Sequence, residues 1–378
     1  MSERKIRVGV VFGGMSAEHE VSVQSARNIL KAIDRTRYEP VPVFIDRQGC
    51  WSTTLPRNLI EPGTTALSSA QTDSYTSICL TPGQSPGRFL HLFPDSYQLE
   101  PVDIVFPVLH GPFGEDGTIQ GLLRLAGIPC VGSDVLGSAV SMDKDVMKRL
   151  LRCANLPVAR FITLRRYELS TLDPGTITEE LGLPLFVKPA NLGSSVGISK
   201  VKEPGELLQA IHEAFRYDQK ILLEEYIEGR EIEISVLGND TPIASLPGEI
   251  IPRHEFYSYQ AKYIDKNGAS FVLPARLKPE VQNSIQDLAI HAFRVLECTG
   301  MARVDFFLRH QTEILINEIN TIPGFTDISM YPRLWEISGI SQPELIDRLI
   351  RLALERHEKT QKLSINVDRY VHTEEDQP

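Results

Sequence analysis

The chain has 378 residues, of which 42% are hydrophobic and 23% charged, so its composition is that of a globular protein with room for two or three domains. A formal charge of −10 argues against nucleic acid or an anionic membrane surface as the main partner. The five cysteines lack zinc-ligand spacing, so we expect neither disulfides nor structural zinc. The sequence has no signal peptide and no run of about eighteen apolar residues, so we expect a cytoplasmic protein without a membrane span.

The first elements are those that open a doubly wound α/β domain. Residues 6–12 are a buried-type strand, a glycine-containing turn follows, and apolar residues then recur at helical spacing to about Ile33. The full G-x-G-x-x-G pattern is absent, so NAD binding is not predicted. Ser16 and Glu18 either belong to a ligand site at the sheet edge or cap the helix and complement its dipole, and both interpretations stay open here.

A second strand is predicted at 38–45 and a strong one at 102–109, whereas residues 49–100 give no functional signal. The loop 110–117 is rich in glycine and acids, which predicts the edge of a site, although a lone His110 is more commonly a turn residue. A helix near 118–126 and a return to the sheet at 127–131 complete this part.

A change of composition at 141–148 predicts a helix that leads into a new domain. The strand 186–188 ends in a lysine, and the small residues of 191–197 let backbone amides approach phosphate oxygens, so we predict a phosphate loop without a Walker motif. The apolar strand 220–225 runs into a cluster of acids, which are either solvated or accept hydrogen bonds from ribose hydroxyls.

The rest of the chain is predicted as a strand at 232–237, a tyrosine-containing loop at 248–274 that resembles a lid, and a helix at 282–298. Two helices, near 331–338 and 343–357, close the fold. The last dozen residues are acidic and polar, and we expect them to be disordered.

The most informative stretch, 301–330, contains two alternating runs joined by a polar turn. Arg303 and Asp305 share one strand face, and Glu318 and Asn320 share another, so a hairpin would bring all four onto one surface. Two carboxylates and an amide oxygen are suited to Mg²⁺. A strand pair with one solvated face is the alternative, but the turn 320–324, which brings backbone amides close by, favours the magnesium site.

Together these segments resemble the D-alanine–D-alanine ligases of the ATP-grasp superfamily, from about residue 4 to about residue 355. The resemblance rests on the joint order of the motifs GGMSAEHEVS (13–22), HGPFGEDGT (110–118), SMDK (141–144), VKP with GSSVG (187–197), EFYSYQAKY (255–263) and RVD with NEINTIPGFT (303–326). It implies an α/β (α+β) ATP-grasp fold with an N-terminal doubly wound parallel-sheet domain. The implied parts are the substrate domain 1–140, the ATP-grasp subdomains 141–231 and 232–362, with the lid loop 248–274 in the second, and the tail 363–378.

The resemblance also implies roles for individual residues in ATP-dependent ligation of two D-alanines through a D-alanyl phosphate, for peptidoglycan precursors. Two Mg²⁺ or Mn²⁺ ions would be held by Asp305, Glu318 and Asn320. ATP would be bound by Lys144, Lys188, Glu224, Glu225, Ile227, Glu231 and the lid residue Lys262. The substrates and the reacting carbonyl would be contacted by Glu18, His110, Ser194, Tyr263, Arg303, Gly324, Ser329 and the Met330 amide.

Three alternatives remain beside this interpretation. The first is a ligase that joins D-alanine to D-serine or D-lactate, although the intact lid tyrosine Tyr263 favours the amide-forming enzyme. The second is an ATP-grasp carboxylase component, against which Glu18 stands because it suits an amino-acid ammonium. The third is an inactive nucleotide-binding regulator, which the complete metal set makes less attractive. A homodimer is the family expectation.

Overall fold

The computed structural model of the chain describes residues 4–53, 77–81, 88–91, 100–252 and 269–363. Within these ranges the protein consists of three main β-sheets with helices packed against them, which confirms the predicted mixed α/β class. None of the helices in the described ranges is long and apolar enough to cross a membrane. The predicted disordered tail lies, apart from Leu363, outside the described residues.

The first sheet has the parallel core that the sequence predicts. Its elements in chain order are β1 (Ile6–Gly13), α1 (His19–Ala32), β2 (Tyr38–Ile45), β3 (Trp51–Ser52), the separate pair β4 (Ile78–Thr81) and β5 (Arg88–His91), β6 (Ile104–Val108), α2 (Thr118–Leu125) and α3 (Val135–Met142). The sheet order is β3-β2-β1-β6, and β1 is parallel to both β2 and β6. The carboxyl ends of β1 and β6 therefore lie side by side, which places the turns after them at one edge.

The second sheet is antiparallel. The elements are α4 (Lys144–Cys153), β7 (Phe161–Arg165), α5 (Pro174–Leu181), β8 (Leu185–Pro189), β9 (Ser199–Val201), α6 (Leu207–Ala214) and β10 (Lys220–Glu225), with 3₁₀ turns at Arg166–Thr171 and Pro204–Glu206. The order β7-β10-β8-β9 puts β10 between β7 and β8. The helix predicted over 141–148 begins only at Lys144, because Asp143 caps it by accepting from the Asp145 and Val146 amides.

The third sheet carries the predicted hairpin. Its elements are β11 (Arg230–Gly238), β12 (Ile243–Ala244), β13 (Gly248–Pro252), β14 (Ala269–Val272), α7 (Pro279–Val295), β15 (Gly300–Arg309), β16 (Glu313–Asn320), α8 (Met330–Ile337) and α9 (Gln342–Gln361). The main order is β14-β13-β11-β15-β16, and its neighbours are antiparallel.

The predicted loop 248–274 is wrong at both ends. Residues 248–252 and 269–272 are the paired strands β13 and β14, because their backbone groups complete an antiparallel ladder beside β11. The intervening residues 253–268, which include Lys262 and Tyr263, lie outside the described residues.

One hydrophobic core joins the first sheet to the third. It contains Val10 and Phe106 from the parallel strands together with Met301 from β15, Trp335 from α8 and Leu349 from α9, all of them buried. The closing helices thus pack against the N-terminal sheet. Their burial fixes the turn between β16 and α8 against the turns that follow β1 and β6.

Candidate active site

The β15–β16 hairpin brings four polar side chains onto one surface, as predicted. Arg303 pairs with Asn320 and Asp305 pairs with Glu318 in the antiparallel register, and directly paired residues point to the same face. A β-bulge follows immediately, so that the register shifts by one residue after Asp305. The bulge ends the regular ladder beside the two carboxylates.

Arg303 lies between two carboxylates on this surface. Its Nε and Nη2 donate to the two Asp305 oxygens over 2.7 Å each, and Nε lies 3.0 Å from Glu233 on β11. Although burial opposes it, Asp305 and Glu233 hold the pKa of Arg303 well above its ordinary value. The guanidinium is thus a permanent positive charge in the wall of the site. Glu233 was not found from the sequence, because its partner lies on a strand 70 residues away.

The metal ligands implied by the resemblance fit a divalent cation by their chemistry. Asp305, Glu318 and Asn320 present oxygen atoms on one face, and Asn320 Nδ2 is within 3.2 Å of Asp305 Oδ2. Among the described residues no group of three His, Cys, Asp or Glu side chains forms a metal cluster. Two carboxylates and an amide would leave coordination positions on a bound cation for phosphate oxygens.

A cavity of about 420 Å³ lies between the second and third sheets. Every described residue predicted to bind ATP lines it, and these are Lys144, Lys188, Glu224, Glu225, Ile227 and Glu231. Glu318 lines it too, so the surface with Asp305, Glu318 and Asn320, which is predicted to bind metal, forms one of its walls. The loop residues Gly193, Ser194 and Ser195 complete its boundary near the lysines.

Glu224 is held between two lysines at the floor of this cavity. Its Oε1 accepts from Lys188 Nζ over 2.7 Å, and its Oε2 lies 2.9 Å from Lys148 Nζ. Burial alone would raise the pKa of this carboxyl, but the two ammonium groups lower it below its ordinary value. Lys148, fully buried, was missed from the sequence. Its spacing of four residues from Lys144 on one helix was the available signal.

Lys144 and Glu225 are also fixed in place. Lys144 Nζ donates to the Leu192 carbonyl over 2.6 Å and lies 3.7 Å from Glu318 Oε2. Glu225 accepts from the backbone N–H and the Nε of Arg160 over 2.7 and 2.8 Å. The Glu225 carboxylate is thus engaged by an arginine, while Lys144 lies between the loop 191–197 and Glu318.

A second cavity, of about 110 Å³, adjoins the first. The two share Ser194 and Glu318 among their lining residues. Every described residue predicted to contact substrate or the reacting carbonyl lines this second cavity: Glu18, His110, Ser194, Arg303, Gly324, Ser329 and Met330. We name it the substrate cavity, and the larger one the nucleotide cavity, after the ligands predicted for their lining residues.

The Glu18 side chain is approached by the phosphate loop and by the loop after β6. Ser194 Oγ donates to Glu18 Oε1. A Cβ on Gly111 would lie 3.0 Å from Glu18 Oε2, and one on Gly193 would lie 3.1 Å from it. Both backbones therefore lie close to the carboxylate, and a side chain at either glycine would press on it. Glu18 is the N-cap residue of α1 by position and its side chain makes no capping bond, whereas Ser16 Oγ accepts from the Glu18 N–H over 3.2 Å.

His110 and Glu115 form the buried back of the substrate cavity. His110 Nδ1 donates to the Ile322 carbonyl over 2.9 Å, which leaves Nε2 as the acceptor nitrogen of the neutral ring, and burial lowers the His110 pKa. Glu115 was missed from the sequence. Burial, together with the nearby Glu18 charge, raises the pKa of Glu115 to about 8.

The N-terminus of α8 closes the cavity on another side. Ser329 is its N-cap residue by backbone geometry, and its hydroxyl binds the Thr326 amide over 2.9 Å. The Met330 amide is at the first helical position, where backbone N–H groups and the helix dipole favour an anion. A Cβ on Gly324 would lie 2.7 Å from Ser329 Oγ, so a side chain there would displace this hydroxyl.

Comparisons with known proteins agree with this geometry. A family model described as the D-ala D-ala ligase N-terminus matches residues 7–133, and one described as the D-ala D-ala ligase C-terminus matches residues 150–351. The D-alanine--D-alanine ligase of Shouchella clausii is 51% identical over 363 residues, which cover 96% of this chain and 98% of the relative.

Solved structures give the same result. The D-alanine-D-alanine ligase from Coxiella burnetii is 41% identical, with a TM-score of 0.82 and with 95% of this chain and 96% of that chain covered. The D-Ala:D-Ser ligase of Enterococcus faecalis is 38% identical, also with a TM-score of 0.82, and 93% of this chain and 100% of that chain are covered. The predicted ATP-grasp fold with its N-terminal parallel-sheet domain is thereby confirmed.

Proposed function

The chain belongs to the D-alanine–D-alanine ligase family, and on this premise we propose the reaction of its two cavities. The enzyme ligates two D-alanines to D-alanyl-D-alanine at the expense of ATP, for peptidoglycan precursors. A carboxylate oxygen of the first D-alanine attacks the γ-phosphorus, and ADP leaves. The amine of the second D-alanine then attacks the acyl carbon, loses a proton and expels phosphate.

One observation carries this proposal: the nucleotide and substrate cavities meet at Ser194 and Glu318. The phosphate end of the nucleotide would then lie beside the carboxylate that it activates. Holding two reactants in contact is worth several orders of magnitude in rate.

Each side chain at the junction has a proposed role in binding ATP. Lys144 and Lys188, joined by Lys262, would contact its phosphates, while Glu231 would take the ribose side. Asp305, Glu318 and Asn320 would hold two Mg²⁺ or Mn²⁺ ions, which supply Lewis-acid stabilisation of phosphate charge when bound. The count of two ions rests on the family resemblance. Glu224, Glu225 and Ile227 would form the adenine side.

The substrate cavity supplies charges that match two amino acids. Glu18 would accept from the ammonium of the first D-alanine, with Ser194 and Tyr263 linked to it. Arg303 and the Gly324 amide would stabilise the oxyanion of the tetrahedral intermediate. His110 would lie against the first substrate.

At the other end, Ser329 and the Met330 amide would receive the carboxylate of the second D-alanine, for which the N-terminus of α8 is suited. The division into parts 1–140, 141–231, 232–362 and 363–378, a homodimeric assembly and a cytoplasmic location remain proposals.

The test is phosphate release from ATP and Mg²⁺ with D-alanine, L-alanine or bicarbonate supplied separately, and with the product identified by mass. Release only with D-alanine, with the dipeptide as product, supports the whole set of assignments. Release with bicarbonate would leave the nucleotide cavity standing and refute the roles of Glu18 and Ser194. Competition between D-alanine, D-serine and D-lactate as acceptors then tests the second substrate.

A further inference from the structure

The backbone on the N-terminal side of Gly324 is held by the loop that follows β6. The Ile322 N–H donates to Glu115 Oε1 over 3.2 Å, and the Ile322 carbonyl accepts from His110 Nδ1 over 2.9 Å. Glu115 is itself anchored, because its Oε2 accepts from the Gly111 amide over 2.8 Å. Both backbone groups of Ile322 are therefore tied to one loop of the N-terminal part of the chain.

The backbone on the other side of Gly324 is held by helix α1. The Phe325 N–H donates to Ser25 Oγ over 3.0 Å, and the Phe325 carbonyl accepts from Asn28 Nδ2 over 2.9 Å. Asn28 Nδ2 is also 2.9 Å from Asp327 Oδ1. Ser25 and Asn28 lie three residues apart on one face of the helix, so that a single rigid element fixes both groups.

The four bonds leave one amide in this turn for another partner. Pro323 has no N–H, and the N–H groups of Ile322 and Phe325 donate to Glu115 and Ser25. Among residues 322–325, all of which the structure describes, the Gly324 N–H is therefore the one that takes part in none of the four bonds. Gly324 lines the substrate cavity. The orientation of its N–H is fixed from both sides by residues of the N-terminal part.

We propose that Ser25 and Asn28, together with Glu115, are positioning residues that aim the Gly324 amide at the reacting carbonyl. The proposal rests on the proposed function, in which this amide donates to the tetrahedral oxyanion. Glu115 lines the substrate cavity, whereas Ser25 and Asn28 are not among the described residues that line it. They act on the reaction through the turn and make no substrate contact of their own.

The effect of such positioning is specific to the transition state. A preorganised donor is worth far more to an oxyanion than to a ground-state carboxylate, and loss of one such donor lowers kcat by about 100- to 1,000-fold. If the turn stays folded but becomes more mobile, the Gly324 N–H is aimed less well and part of this contribution to kcat is lost. We therefore expect a fall of about 10- to 100-fold in kcat when one of the α1 bonds is removed.

The experiment compares Asn28→Ala, Asn28→Asp and Ser25→Ala with wild type. Asn28→Asp keeps the size of the side chain but removes the N–H that donates to Phe325, so it should resemble Asn28→Ala. The expected result is the lowered kcat with a KM for ATP within about twofold of wild type, since the nucleotide cavity does not use this turn. Affinity for a phosphinate analogue of the tetrahedral intermediate should fall by the same factor as kcat.

Gln24→Ala is the matched control. Gln24 lies one turn earlier on α1, and its Nε2 donates to the Oδ1 of Asn28 over 3.4 Å. This bond does not involve the Asn28 Nδ2 that donates to Phe325, so the bonds to Phe325 survive removal of the Gln24 side chain. It should keep the wild-type kcat and phosphinate affinity. Thermal melting of each variant is measured as well. A purely structural role would lower the melting temperature and would weaken phosphinate and D-alanine binding to the same extent.

The possible outcomes separate this proposal from the proposed function. Wild-type kcat and phosphinate affinity in Asn28→Asp and Ser25→Ala, with normal dipeptide formation by the unaltered enzyme, would overturn the positioning role alone. Equal losses of phosphinate and D-alanine affinity would also overturn it. An unaltered enzyme that forms no dipeptide would instead refute the proposed function.

Discussion

Ser194, in the loop after β8, donates a hydrogen bond to Glu18, which precedes α1. The two residues are 176 positions apart, and the bond joins the phosphate loop to the first sheet at the boundary of both cavities. A change to the Glu18 carboxylate should therefore alter binding of the amino-acid substrate more than binding of the nucleotide.

Glu18→Gln should raise the KM for the first D-alanine by about 10- to 100-fold, because a charge-assisted bond to its ammonium is worth about 1.5–3 kcal/mol. The KM for ATP should change little. Glu20→Gln, in the first turn of the same helix, is the control, because Glu20 is exposed and pairs with the exposed Arg47. Steady-state kinetics with each substrate varied in turn checks this, and equal effects of the two variants would contradict it.

Glu318→Gln should lower turnover by at least about 100-fold, since it removes one of the carboxylates that would hold the metal ions. ATP should still bind weakly through the lysines of the nucleotide cavity. Glu313→Gln, at the other end of β16 and paired with Arg309, is the matched control. Turnover and nucleotide binding are measured across a range of Mg²⁺ concentrations. A near-normal rate for Glu318→Gln would refute the metal assignment.

Lys148→Met should lower the free energy of unfolding by about 3 kcal/mol, because it leaves Glu224 buried with one lysine partner instead of two. Chemical denaturation measures this loss. Removal of the exposed pair by Arg216→Met should cost less than about 1 kcal/mol. Similar losses in the two variants would argue that the buried Glu224 does not need Lys148.

The free energy of unfolding should depend on pH in part through Glu115. Burial and the Glu18 charge raise its pKa to about 8 from an ordinary value of 4.5, so between these values the folded state binds more protons than the unfolded state. Stability should therefore fall as pH rises from about 4.5 to about 8. Glu115→Gln cannot titrate, and its unfolding free energy should decline less across this window, as denaturation at several pH values would test. An equal decline in both proteins would contradict the assignment.

The hairpin shows how far the sequence alone could be used. Strict alternation in Arg303–Asp305 and Glu318–Asn320, with a polar turn between, was enough to predict that four side chains share a face, because side-chain direction on a strand depends only on parity. The parallel core of the first sheet and most helix positions followed from periodicity in the same way. The ends of the loop 248–274 did not, because the short strands β13 and β14 there are stabilised by pairing with each other and, for β13, with β11.

The order of motifs along the chain by itself determined the family and the reaction class, and it predicted many of the charged groups that line the two cavities. Only the tertiary structure decided which groups meet. Lys148 reaches Glu224, Glu115 reaches Ile322, and Asn28 reaches Phe325, 76, 207 and 297 residues away along the chain. Local periodicity constrains the direction of a side chain within its own element, whereas these partners are fixed by how separate elements pack around the cores they share.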